Sequence, residues 1–143
     1  DEKHLDKEVI SNLVLAGIQK FYFSEIDLSI IHIIIHKYII DDKVYKNLPS
    51  NINFKKIILE IEFVCLNKKL LNKVKKLFNE CKININKIIS NEYAKKFSNN
   101  AFDDTMCISA HNVITGTNQS EVYLESNNQK KKGIFYKIFN LFD

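Results

Sequence analysis

The sequence predicts an α+β domain, a small antiparallel sheet with two helices on one face, followed by a flexible tail and a C-terminal amphipathic helix. Three observations carry that expectation. The run Leu28 to Ile40 is strongly β-branched, and a second run from 56 to 65 alternates, which is the period of strands. Two stretches, beginning near Asp6 and near Asn67, instead place apolar residues at the 3.6-residue period of a helix. Beyond residue 97 the chain turns to Asn, Ser, Thr and Gln with scattered apolar residues.

The elements follow in order. Asp6 is placed to accept from free amides at the start of a helix spanning 6 to about 20, whose apolar residues are Val9, Ile10, Leu13, Val14, Gly17 and Ile18, with Leu5 stapled onto Ile10. The strand from Leu28 to Ile40 is followed by turn formers, Asp41, Asp42, Asn47, Pro49, Asn51 and Asn53, and then by the strand 56 to 65. Asn67 caps a second helix in which Leu70, Leu71, Val74, Leu77, Phe78 and Cys81 form one stripe, with Lys68, Lys69, Lys73, Lys75 and Lys76 covering the rest. Ile83, Ile85, Ile88 and Ile89 suit a short closing strand. The domain organisation is therefore an interaction domain over 1–97, a flexible polar tether over 98–130 and an amphipathic helix over 131–143.

With 143 residues, 45% of them hydrophobic and 27% charged, the chain has the make-up of one ordinary folded domain or a smaller one plus a tail. A net charge of +4 is too small to single out nucleic acid, and the lysine-rich helix lacks arginine and interleaved exposed aromatics, so no nucleic-acid partner is expected. Cys65, Cys81 and Cys107 are odd in number and widely spaced, which suggests neither a disulfide framework nor a zinc site and fits a reducing cytoplasm. His32 and His36 are four apart, but on a strand that spacing does not make a metal pair, and no Cys or carboxylate completes a set. No nucleophile, base and orienting group stand at usable spacing, so no enzyme and no cofactor are expected.

The tail carries the sharpest signal. Lys130, Lys131 and Lys132 precede Gly133, and at 3.6 residues per turn Ile134, Phe135, Ile138, Phe139, Leu141 and Phe142 fall in one arc of about 160°, with Lys137 and Asn140 opposite. A basic cluster beside an apolar arc reads as a helix lying on an anionic membrane, the competing reading being a helix docked on the domain's own core.

The stretch Ile31 to Asp41, with Pro49 eight residues on, resembles the bacterial cell-division protein family FtsA, in which an apolar strand opens with His, continues to Tyr and Asp and is followed by a loop Pro. His32, Tyr38, Asp41 and Pro49 fall in that register, and the order of strand, helix and closing strand that follows is similar to the family's inserted interaction subdomain, known as 1C or SHS2. The resemblance implies an SHS2-like fold without the subdomain's opening strand, and a C-terminal membrane-targeting helix. It also implies recruitment of other division proteins, FtsZ-like or downstream components, on the cytoplasmic side of the inner membrane at the septum, with self-association possible. The family's actin-like body binds ATP through glycine-rich loops. This chain has three glycines, none in such a loop, and Phe102 to Met106 looks like a relic of one, so ATP binding is not carried over. The resemblance leaves two other readings open: a nonfunctional or split-gene FtsA remnant, and an adaptor like the pilus-assembly protein PilM.

Overall fold

The computed structural model describes residues 2–97, 105–116, 118–126 and 136–139, and its fold is α+β, with a small antiparallel sheet and several helices. The chain divides into two compact units. One is drawn from Asp1–Ser24, Ile33–Glu62 and Gln119–Asp143, the other from Glu25–His32 and Phe63–Asn118.

In the first unit, strand β1 (Lys3–His4) pairs antiparallel with β4 (Asn53–Phe54), and Leu5 N–H donates to Ile52 O at 2.9 Å. A two-residue strand thus precedes the first helix, where the sequence reading expected the family's opening strand to be missing. Helix α1 (Lys7–Ser24) starts where Asp6 Oδ1 accepts from Val9 N–H at 2.8 Å, the expected cap, and Leu5 and Ile10 on either side of it are both buried. It runs four residues past the expected end. It stops where the Ser24 hydroxyl donates to the carbonyls of Lys20 and Phe21, competing with the helical ladder. Ile10, Val14 and Ile18, spaced by four, are its buried face. Burying one such aliphatic side chain stabilises a fold by about 1.5–3 kcal/mol.

Strand β2 (Leu28–Ile40) is the centre of the sheet. It turns at Asp41 and Asp42, both in the left-handed region (φ 45° and 66°), into β3 (Lys43–Tyr45), with Ile40 opposite Lys43 and Tyr38 opposite Tyr45. Two successive positive φ values are what a two-residue hairpin needs to match strand twist, and Asp tolerates them. Strand β5 (Ile57–Asn67) also pairs with β2. Asp41 N–H donates to Lys56 O at 3.0 Å, and His36 meets Glu62, so rising numbers on one strand meet falling numbers on the other. Strand β6 (Glu121–Ser126) pairs antiparallel with β2, Ile33 opposite Val122 and Ile34 opposite Glu121, and β7 (Tyr136–Phe139) pairs antiparallel with β6. Ile33, Ile34 and Ile35 are all buried, so this part of β2 is covered on both faces.

In the second unit, helix α2 (Lys68–Glu80) is capped by Asn67, whose Oδ1 accepts from Lys69 and Leu70 N–H at 3.0 and 3.2 Å. It ends in a Schellman turn: Ile83 N–H donates to Phe78 O, Lys82 N–H to Asn79 O, and Lys82 takes the left-handed conformation at φ 59°. Two short helices follow, α3 (Asn91–Lys95) and α4 (Thr105–Ile114), which pack on each other.

Three expectations are corrected here. Residues 83–90 form neither helix nor strand: the Ser90 amide is spent on the His32 ring, and the ladder position beside Ile33 is filled by β6. The stretch 98–130 is no uniform tether, since α4 and β6 lie within it; Ser109, Val113, Glu121 and Val122 are buried, so a few inward residues suffice where overall polarity suggested none. Finally, the backbone at 136–139 is a strand and not a helix. Tyr136, Ile138 and Phe139 are good strand formers, and β6 offers the segment an edge to pair with, whereas a helix this short has little stability in water.

Candidate interaction surface

The residues that carry the family resemblance hold the framework together. His32 is buried in the second unit, where its Nε2 accepts from Ser90 N–H at 3.1 Å; the accepting nitrogen carries no proton, so the neutral ring is protonated at Nδ1. Its ring lies 4.3 Å from that of Tyr93. Ser90 caps α3 through Oγ, and the buried Tyr93 accepts from Asn118 Nδ2 at 2.8 Å, so the histidine meets the start of α3 at Ser90 and Tyr93.

Tyr38 and Asp41 act in the first unit. The Tyr38 hydroxyl is pushed up to about 12 by burial, which disfavours the phenolate. Asp41 clamps the return of the chain: its carboxylate accepts from Lys55 N–H at 3.0 Å and from Lys56 N–H at 2.8 Å, tying the β2–β3 turn to the start of β5. Pro49 is half-buried in the irregular stretch between β3 and β4.

On the outer face of β2 and β5, His36 Nε2 lies 2.7 Å from Glu62 and Lys37 Nζ 3.0 Å from Glu60. All four are substantially exposed, where such pairs contribute at most about 1 kcal/mol. Among the described residues no group of three His, Cys, Asp or Glu side chains is placed to hold a metal ion. Cys81 and Cys107 are exposed, while Cys65 is half-buried with its thiol pushed up by burial and then by the charge of Glu25. Sequence reading missed Glu121, a buried carboxylate on β6. The Tyr123 hydroxyl beside it is raised by burial and then by the charge and hydrogen bond of Glu121. No hydropathy pattern signals a glutamate facing inward.

Helix α2 departs from ordinary packing. Only Leu71 of its stripe is buried (8% exposed), whereas Leu70 is 54% exposed and Leu77 60%, with Phe78 and Cys81 also exposed. Of the tail residues predicted to bind membrane, Ile138 and Phe139 lie in β7, and Lys130, Lys131, Lys132, Ile134, Phe135, Leu141 and Phe142 lie outside the described residues. Among the described residues no helix is long and apolar enough to cross a membrane.

Compared with protein-family models, with curated proteins and with solved structures, the chain matches none of them.

Proposed function

We propose that the chain is a non-enzymatic, membrane-tethered protein-interaction module of the division septum, with an SHS2-like domain of the FtsA kind that recruits other division proteins. The observation that supports this most is the use made of the resembling residues. His32 accepts a backbone amide, Tyr38 is a buried hydroxyl and Asp41 clamps two backbone amides, so all three are spent on shape and none on chemistry. A domain whose distinctive residues maintain a framework works through its surface. The order of α1, β2, β5 and α2 supports the reading, and the closing strand expected over 83–89 is not part of that support.

Membrane attachment through Lys130 to Phe142 as a helix carries a structural requirement. Ile138 and Phe139 pair with β6 in the strand form, so the four-residue β6–β7 ladder must open before the same residues can enter an interfacial helix. The two forms are alternatives, and an anionic bilayer favours the helix by binding only that one.

The reading is tested by fusing a fluorescent protein to the N-terminus of the full chain and imaging it in dividing bacteria. Enrichment at the septum, lost when FtsZ is depleted, is expected. A uniform signal contradicts the division role, and clusters at pilus-assembly sites assign the chain to the PilM-like adaptor reading.

A further inference from the structure

We propose that α2 is itself a membrane-contact helix, which lays its open apolar edge into the surface of an anionic bilayer. The proposal stands on the geometry of α2 and depends neither on the division role nor on the tail. At 3.6 residues per turn the stripe covers an arc of about 120°, ordered Leu77, Leu70, Cys81, Val74, Phe78 and Leu71. Leu71, at one end of the arc, is buried, while Leu77 and Leu70, at the other, are the most exposed. The helix is therefore held to its unit by one edge and turns the other outward.

The C-terminal turn adds one more exposed apolar residue to the helix end. The left-handed conformation of Lys82 folds the chain back so that Ile83 N–H reaches Phe78 O at 2.9 Å, and Ile83, itself half exposed, is added at the Phe78 end. A non-glycine residue holding this conformation works against an intrinsic backbone preference.

Charge selects the occupant. The helix carries Lys68, Lys69, Lys73, Lys75 and Lys76 against the single acid Glu80. On the wheel Lys73 stands next to Leu77 with Glu80 just beyond it, and Lys75 and Lys68 follow Leu71, so a lysine is the first charge on either side of the arc. An apolar arc between lysines, on a helix whose average hydrophobicity is low, is the pattern of a helix lying in the plane of a membrane interface. The lysine stems reach along the apolar surface while their ammonium groups stay at the anionic headgroups. The exposed edge is a convex ridge, which a flat lipid surface accepts without a complementary groove. Because α2 is already folded and capped, contact does not have to order it, unlike a short peptide.

The test uses the full chain and sedimentation with vesicles of phosphatidylcholine and phosphatidylglycerol, compared with phosphatidylcholine alone. Phe135→Glu and Phe139→Glu remove the tail's contribution in the background protein. That background is expected to bind the anionic vesicles, and adding Leu70→Glu and Leu77→Glu to lower its partition coefficient roughly tenfold or more. Both leucines are exposed, so unchanged far-ultraviolet circular dichroism is expected. A second variant guards against misfolding: the chain has no tryptophan, so Leu77→Trp places a single reporter on the open edge. Its emission should shift to the blue with anionic vesicles only. Background protein that ignores the vesicles, leucine variants that bind like the background, or an unshifted tryptophan each overturn the proposal. A shift produced by an acidic amphipathic peptide and by no vesicle also overturns it, and assigns the edge to a protein partner. Loss of binding from the tail substitutions alone, with α2 intact, would instead support the tail reading and remove this one.

Discussion

Helices α1 and α2 begin alike and end up doing opposite things. Each is capped by a side-chain oxygen, Asp6 or Asn67, and each has a clean apolar stripe in sequence. Yet α1 buries Ile10, Val14 and Ile18, whereas α2 buries only Leu71 and leaves Leu70 and Leu77 in solvent. Periodicity establishes that a helix has an apolar face, but what covers the face depends on the rest of the chain. The helix with the more sharply segregated faces is the one left open, as expected when an apolar face meets something other than the protein's own core.

The difference is broken or sharpened first by truncation. Ile10→Ala is expected to destabilise the protein by about 2–5 kcal/mol, because it removes fully buried methylenes and leaves a cavity, while Leu77→Ala should stay within about 0.5 kcal/mol. Urea unfolding of the two variants measures both, and equal losses would mean that the α2 edge is packed after all.

Next in size is Asp41→Ala, expected to cost about 1–3 kcal/mol, since the amides of Lys55 and Lys56 lose an ionised acceptor and alanine resists a positive φ. Asp41→Asn, which keeps an acceptor and tolerates the left-handed turn, should recover much of that loss. The expected damage lies in the first unit, so α2 should keep its exposed edge and any vesicle binding it has.

The smallest effect is on alkaline stability. Tyr38 titrates near 12 in the folded chain and near 10 when unfolded, so the folded state holds its proton more tightly. The sign follows: this contribution is fully present below pH 10 and is lost as pH rises from about 10 through 12. Tyr123 is raised in the same direction. Thermal melts of Tyr38→Phe should fall less steeply over that range than those of the unsubstituted chain, with Tyr123 supplying the residual slope.

Much of the fold was legible because its long elements obey one period each. The strand over Leu28 to Ile40, the strand beginning near 57, and both caps are written in residue types whose local physics agrees with their final setting. The short strands were not legible. Lys43-Val44-Tyr45 is too brief to show a period, and β6 turns Glu121 inward against its polarity. The isoleucines from 83 to 89 misled in the opposite direction, because composition supplies strand-forming residues in a stretch that forms neither helix nor strand. The tail carries the helical period, but at 136–139 pairing with β6 decides for the strand. His32, Tyr38 and Asp41 were picked out by register, but their roles as amide acceptor, buried hydroxyl and turn clamp needed the tertiary structure.

The contrast between the helices is tested most directly by hydrogen–deuterium exchange of the full chain with and without phosphatidylglycerol vesicles. The expected result is added protection across 68–83 with little change across 7–24, since α2 presents an open apolar edge among lysines whereas α1 buries Ile10, Val14 and Ile18. Unchanged exchange over 68–83, or protection gained on α1 instead, would contradict the account.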